Sequence, residues 1–341
     1  MRSEQELAQG LWLPSSSLSA ESAAWPGQQG DAPQPDETVR AALQADLLAR
    51  AEPAPYLVEY AAGLAALARA GAVSRSPSGI PGDLLTRVQA VLARTFADRS
   101  FLKLYGGPAE ESGWWWLAAG PAETALPLSD RIEVEAVRFM QRRPAFTLEE
   151  LEQTLCGLFT GLQAPSPELV QACLESYAER APAQDGESSG QWRMRASDTA
   201  EVRRADRQEM GALVDRGGRA LGMQVTQDGA ALVWLDPAGK ETWRFYRMAS
   251  SLISRYVLAP PPRPPGRMVL VLPGSRARRR ALKLRRDPRL AEAARGWPIL
   301  KFRHLREIGS RSSLTPELWE ALLDDDPLTD DATQMRLFSA G

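Results

Sequence analysis

Residues 223–248 read MQVTQDGAALVWLDPAGKETWRFYRM, and this stretch decides the fold prediction. Three apolar or alternating runs, at 223–226, 231–235 and 242–248, are typical of strands. The turn sequences QDG and DPAG separate them, which predicts a three-stranded meander. The elements predicted around it are helices over 199–221, 249–258 and 275–284 and strands over 268–272 and 299–302. This order predicts a mixed sheet flanked by helices, in the α+β or α/β class.

The chain before the meander is predicted to be mainly helical. Three helices and a basic strand at 191–195 follow one another between 127 and 197, an outline typical of a winged-helix domain. Thr147 and Glu150 form a capping-box pattern at the start of the second helix. The predicted divisions are a flexible arm (1–35), a helical domain with short strands (36–126), the winged-helix domain (127–197), the α/β domain (198–323) and an acidic tail (324–341).

Composition argues against several classes of enzyme. The 341 residues include one histidine, His304, and two cysteines, which cannot supply a disulfide framework or a four-ligand zinc site. We therefore expect no metal and no cofactor. The apolar run at 56–73 is broken by charged residues, and the first residues are acidic rather than cationic, so we expect a cytoplasmic protein without a membrane segment.

Charge is distributed unevenly along the chain. The net charge is −2, yet residues 263–311 contain fifteen basic and three acidic residues. Such an asymmetry is typical of a surface that binds a polyanion, and nucleic acid is the obvious polyanion. Two alternatives stay open: the basic residues pair with acids of the same chain, or they pair with an acidic partner protein.

The predicted phosphate contacts begin at the turn between the strand at 268–272 and the basic helix. Backbone N–H groups at a helix start, together with arginines, suit a phosphate. The predicted nucleic-acid-binding residues are Arg276, Arg278, Arg279, Arg280, Lys283, Arg285, Arg286, Arg289, Lys301 and Arg303, with Arg193 and Arg195 on the wing strand. The side chains from Lys301 to Arg306 are expected to alternate along an extended strand. The third helix of the winged-helix domain is acidic, so it is not expected to enter the major groove.

The element order, with LVWLD at 232–236 turning into WRF at 243–245, resembles the restriction-endonuclease-like fold. The resemblance implies a metal held by an Asp and by an acid-x-Lys motif on the next strand. Here the strand at 243–248 lacks that motif. Asp228, Asp236, Glu241 and Lys283 are therefore weak catalytic candidates, and the resemblance implies a degenerate domain that binds DNA without cutting it.

A second resemblance covers more of the chain. The runs at 114–117, 126–131, 159–165, 174–177, 283–290 and 300–306 resemble the C-terminal half of bacterial DNA methyltransferase-like proteins of restriction or phage defence. Methyl transfer itself is not expected, because no Asn-Pro-Pro-Tyr motif and no glycine-rich cofactor loop are present. The expected function is a non-catalytic accessory subunit that binds duplex DNA within an assembly containing a methyltransferase, a helicase or an ATPase. The alternatives are a protein scaffold without nucleic-acid contact and a metal-dependent nuclease.

Overall fold

The computed structural model describes residues 35–70, 82–106, 109, 111–119, 125–182, 190–259, 266–311 and 313–324. Apart from residues 35 and 324, the predicted N-terminal arm and acidic tail lie outside these ranges. Twelve α-helices and a mixed five-stranded sheet occur in the described part of the chain, which confirms the α+β class. None of the helices within these ranges is long and apolar enough to cross a membrane.

The first part of the described chain combines helices with a small antiparallel sheet. Its strand order is β1-β3-β2. The helices are α1 (Pro35–Arg50), α2 (Tyr56–Arg69) and α3 (Gly82–Phe96), and the strands are β1 (Ala54–Pro55), β2 (Phe101–Tyr105) and β3 (Trp114–Leu117).

The tryptophans of β3 belong to the core of this part. Trp115 and Trp116 are each only 5% exposed, and the Trp115 ring stacks on Phe96 of α3 with 3.9 Å between centroids. Burial of large aromatic rings is a major apolar contribution to a small core. The two buried rings therefore hold the sheet against the helices.

Three helices and a hairpin form the middle part. They are α4 (Leu128–Arg142), α5 (Leu148–Leu158), α6 (Pro167–Tyr177), β4 (Ala178–Arg180) and β5 (Trp192–Met194). The predicted capping box is present: the Thr147 side chain accepts a hydrogen bond from Glu150 N, and the Glu150 side chain accepts one from Thr147 N. Because the cap satisfies otherwise unpaired N–H groups, it fixes where α5 begins.

The last part is built on the five-stranded sheet, with strand order β10-β9-β8-β7-β6. The predicted meander is present as three antiparallel strands, and the other two strands add parallel to β8. Its elements are α7 (Ala200–Ala220), β6 (Gln224–Asp228), β7 (Ala231–Leu235), β8 (Glu241–Arg247), α8 (Ser254–Val257), β9 (Arg267–Leu272), α9 (Ala277–Arg286), α10 (Pro288–Ala293), β10 (Ile299–Lys301), α11 (Phe302–Gly309) and α12 (Pro316–Asp324).

Both faces of this sheet are covered. One face presents Trp234, Phe245 and Val271 to α7, α11 and α12, and the other presents Tyr246 and Leu270 to α8 and α10. Strands of a sheet that is covered on both faces are usually continuous runs of apolar residues, and β9 has such a sequence.

Two predicted elements differ in the structure. The extended strand predicted beyond Lys301 is wrong, because residues 302–309 form α11. Phe302, Leu305 and Ile308 are buried at helical spacing, so packing of this stripe against the sheet outweighs the alternating charge pattern. The helix predicted over 249–258 is reduced to α8, preceded by an irregular segment.

Candidate anion-binding site

The basic residues predicted to contact phosphates lie in two environments. Arg276, Arg279, Lys283 and Lys301 are buried, with exposed fractions of 0, 0, 1 and 7%. The prediction that these four side chains share an exposed face is therefore wrong. A sequence shows how many charges a stretch holds, but the partners of Arg279 and Lys283 lie on a helix about 150 residues earlier.

Lys283 enters the space between α9 and α4. Its Nζ lies 2.6 Å from Asp130 Oδ1, forms an ion pair with Glu133, and donates to the carbonyl oxygen of Ser251 at 2.8 Å. Arg279, one turn earlier on α9, places Nε 3.4 Å from Glu133. Lys283 and Arg279, on the inner face of the basic helix, thus both form ion pairs with acids of α4.

Glu133 is the centre of these contacts. Its carboxylate accepts hydrogen bonds from Ser251 N at 2.8 Å and from the Tyr177 hydroxyl. Burial by itself raises the pKa of Glu133, but the charges of Lys283 and Arg279 outweigh it and hold the pKa well below its usual range. Glu133 is therefore ionised at neutral pH.

Arg276 extends the network to the turn that precedes α7. Its guanidinium lies 3.7 Å from the centroid of the Tyr177 ring and forms an ion pair with Asp198. We call the six charged residues of this network the buried charge cluster: Asp130, Glu133, Asp198, Arg276, Arg279 and Lys283. Three acids balance three bases, so the cluster carries no net charge to attract a ligand.

Most of the other predicted contacts are also ion-paired. Arg285 lies 2.7 Å from Glu168, and Arg193 lies 2.8 Å from Glu179. The remaining pairs are Arg278 with Glu175, Arg286 with Glu52, and Arg289 with Asp287. Arg195 donates to the carbonyl oxygens of Glu175 and Ser176, Arg303 donates to His304 Nε2 at 3.3 Å, and Arg280 is half-buried. Acids of the chain therefore offset much of the surface charge of this stretch.

The weak catalytic candidates do not meet in one site. Asp228 and Glu241 both bind Arg244, at 2.7 and 2.8 Å, and Asp236 accepts hydrogen bonds from backbone N–H groups of its own turn. Lys283 is instead held by the buried charge cluster. Within the residues that the structure describes, no group of three or more His, Cys, Asp or Glu is placed to hold a metal ion.

A basic cleft lies between α4 and the start of α7, and Glu133 of the buried charge cluster is part of its lining. It has a volume of about 380 Å³. One wall is the α7 face formed by Ala200, Arg203, Arg204 and Arg207, whose spacing of three, four and seven residues places them together on a helix. We call this feature the arginine cleft.

The opposite wall of the arginine cleft comes from α4, with Val134, Val137 and Arg138. Its inner end is formed by Glu133 and Tyr177, which are 1 and 0% exposed. The segment that precedes α8, including Ala249, Ser250 and Leu252, forms the third side. Arginines, apolar side chains and a buried end therefore surround one small space.

Arg247 of β8 adds a further positive charge beside α7. Its guanidinium lies against Gly211, where a Cβ atom would collide with it. Burial lowers the pKa of Arg247, and the neighbouring charge of Arg207 lowers it further. Gly211 lies one helical turn after Arg207, so Arg247 and Arg207 are on the same side of α7, and an anion near both would reduce their repulsion.

The arginines that line the cleft, together with the neighbouring Arg247, differ from the predicted basic residues in their partners. Among the described residues, no ion pair holds Arg203, Arg204, Arg207 or Arg247, while Arg138 lies 2.5 Å from Glu135. Two acids of α7 are bound by a base of another helix. Asp206 and Glu209, on another side of the helix, both bind Arg306 of α11 at 2.6 Å. The cleft therefore combines three arginines of α7, which form no ion pair with the described residues, with the carboxylate of Glu133, which Lys283 and Arg279 balance.

Sequence reasoning missed the arginine cleft. The sequence predicts an apolar face of the helix over 199–221, formed by Met210, Leu213, Val214 and Leu221; the structure buries the first three, and Leu221 is partly buried. The signal for the other face was the helical spacing of Arg203, Arg204 and Arg207. The second wall could not be inferred, because its residues Val134 and Val137 lie more than sixty residues before Arg203 in the chain.

Comparison of the chain with known protein families, with curated protein sequences and with solved structures gives no match.

Proposed function

We propose that this protein is a non-catalytic DNA-binding subunit and that the arginine cleft is its main phosphate contact. The observation that carries the proposal is the set of arginines on α7 and β8 that lack a carboxylate partner among the described residues. Guanidinium groups are planar and bind phosphate oxygens through paired N–H donors. They are also permanently charged, so this surface would attract nucleic acid at any physiological pH.

In this proposal the main phosphate contact is not the basic stretch at 263–311. Many positive charges of this stretch belong to residues 276–289. Most of these basic side chains already bind acids, either in the buried charge cluster or in surface ion pairs. A base that already holds a carboxylate must give up that partner to bind a phosphate. An unpaired arginine binds without this cost.

The arrangement of α4, α5, α6 and the β4–β5 hairpin supports a winged-helix assignment, and the five-stranded sheet with helices on both faces supports a restriction-endonuclease-like one. In that second assignment the domain is catalytically silent, because Arg244 occupies the space between Asp228 and Glu241. Membership of a bacterial modification or defence assembly, with a methyltransferase, helicase or ATPase as partner, is part of the same proposal and rests on the sequence resemblance.

The test compares two triple variants that remove equal charge. The first is Arg203→Gln, Arg204→Gln and Arg207→Gln. The control is Arg278→Gln, Arg285→Gln and Arg295→Gln, whose side chains are exposed and ion-paired. Binding of a fluorescent duplex is measured by anisotropy between about 50 and 200 mM salt.

We expect the cleft variant to lower the slope of log affinity against log salt by at least about one, since each phosphate contact contributes about one. The control should change the slope by less than about one. If the slope fell by the same amount in the two variants, net charge alone would drive binding, which would contradict a specific role for the cleft. Unchanged circular dichroism spectra check that both variants are folded.

A second candidate function is a protein scaffold without nucleic-acid contact. The internal pairing of the C-terminal basic stretch favours it, because a surface already neutralised has little need of an external polyanion. Purification of the tagged protein from its host with and without nuclease treatment separates the two. Partners that persist after nuclease treatment, together with no measurable DNA affinity, would support the scaffold.

A further inference from the structure

We infer that the arginine cleft binds a phosphomonoester of nucleotide size, and not the internal phosphodiesters of a continuous strand. The inference rests on the proposed function, because it specifies which part of a nucleic acid the cleft would hold. Its ligand chemistry is a terminal phosphate attached to a sugar, which occurs at a nucleic-acid end and in a free mononucleotide.

Size and shape are the first reason. The volume of about 380 Å³ lies within the range of pockets that enclose small molecules. The inner end of the cleft is formed by Glu133 and Tyr177, which belong to the packed interior. A strand that continues in both directions would have to bend into and out of this space. A chain end, or a single nucleotide, enters it directly.

Charge is the second reason. A phosphomonoester carries about −1.5 to −2 at neutral pH and offers three terminal oxygens. A phosphodiester carries a single negative charge and two such oxygens. Arg203, Arg204 and Arg207 line the wall of the cleft, and Arg247, which is not part of the lining, lies against Gly211 one turn after Arg207. A cluster of this charge gains more from the doubly charged group.

The apolar side chains of the cleft are the third reason. Val134, Val137 and Leu252 line the same space as the arginines. Inorganic phosphate has no apolar surface to bury against these side chains, whereas the sugar and the base of a nucleotide bury apolar area there. Ligand pockets commonly combine an apolar lining with a few charged groups that fix the orientation.

Hydrogen bonds within the chain hold one side of the cleft in position. Ser251 N donates to Glu133 at 2.8 Å, and Arg276 Nε donates to the carbonyl oxygen of Ala249 at 3.1 Å. These two bonds tie the segment before α8 to the buried charge cluster on either side of Ser250. A preformed pocket loses less conformational entropy on binding, which raises affinity for a small ligand.

The experiment uses the full chain and one oligonucleotide in two forms, with a 5′-phosphate or a 5′-hydroxyl. Competition with adenosine monophosphate and with adenosine distinguishes a nucleic-acid end from a free nucleotide as the source of the phosphate. The variants are Arg203→Gln and, as a matched control on α9, Arg285→Gln. Thermal denaturation of both variants checks that they fold.

We expect the phosphorylated oligonucleotide to bind at least about tenfold more tightly, a ratio equivalent to 1.4 kcal/mol. Arg203→Gln should abolish most of this difference, and Arg285→Gln should leave it intact. Adenosine monophosphate should compete, and adenosine should not. A free nucleotide that binds much more tightly than the oligonucleotide would identify the mononucleotide as the ligand.

The outcomes separate the inference from the proposed function. Equal affinity for the two oligonucleotides, with both weakened by Arg203→Gln, would overturn the inference and leave DNA binding by the cleft intact. Binding of adenosine monophosphate that depends on Arg203, without binding of either oligonucleotide, would overturn the proposed function and support the inference. No binding of any of these molecules would overturn both.

Discussion

Replacement of Lys283 by methionine should destabilise the protein strongly. The side chain of Lys283 is fully buried, and its Nζ contacts Asp130 and Glu133. Methionine has a similar length but no charge, so the variant leaves two buried carboxylates with Arg279 as their main cation. Removal of one partner from a buried ion pair costs about 3–5 kcal/mol. We expect the free energy of unfolding to fall by an amount near the lower end of this range, because Ser251 and Tyr177 still donate hydrogen bonds to Glu133.

The control for this prediction lies two residues further along the same helix. Arg285 is 70% exposed and pairs with an exposed glutamate. Arg285→Met should therefore cost no more than about 1 kcal/mol. The free energy of unfolding is measured by urea denaturation, followed by tryptophan fluorescence and by circular dichroism. Similar losses in the two variants would refute the view that Lys283 is essential to a buried network.

The pH dependence gives a second check on the same variant. In the wild type the folded state lowers the pKa of Glu133, so its stabilising contribution is present above the unfolded-state pKa of about 4.3 and is lost as the pH falls below it. Without Lys283 this contribution is smaller at every pH. The difference in stability between wild type and Lys283→Met should therefore shrink below about pH 4.3. A difference that stays constant down to the acid transition would contradict this linkage.

Three further variants test other parts of the fold by thermal denaturation. Glu59→Gln should raise the melting temperature at about pH 8 more than at about pH 5, because burial raises the pKa of Glu59 and its stabilising protonated form is lost as the pH rises; an equal change at both pH values would contradict it. Gly218→Ala should cost about 1–3 kcal/mol, since the new Cβ would lie 2.7 Å from Trp234 Nε1, whereas Gly157→Ala meets nothing within 4 Å and should not destabilise. Thr147→Ala should cost about 1 kcal/mol by removing the cap of α5, and a loss below a few tenths would show that the capping box contributes little.

Local signals predicted much of the secondary structure. The meander was predictable because its strands alternate or are continuously apolar and its turns contain Asp, Pro and Gly. The start of α5 was predictable because Thr147 and Glu150 satisfy its first N–H groups by themselves. In each case the residues that decide the structure are close together in the chain.

The candidate site was harder to predict, because its charges are set by tertiary partners. Lys283 and Arg285 look equivalent in the sequence, yet one is buried against α4 and the other is exposed. The helix α11 was missed for a related reason: the apolar stripe of Phe302, Leu305 and Ile308 became informative only with the sheet beside it. Sequence patterns give the number of charges, but packing decides which of them are available to a ligand.

The buried charge cluster has a consequence for dividing this chain. Its members come from both sides of residues 183–189, with Asp130 and Glu133 before that segment and Arg279 and Lys283 after it. A cut there would leave acids in one fragment and their counterions in the other. We therefore expect each half to be unfolded or aggregated when it is produced alone. Co-expression of the two halves should restore a folded, non-covalent complex.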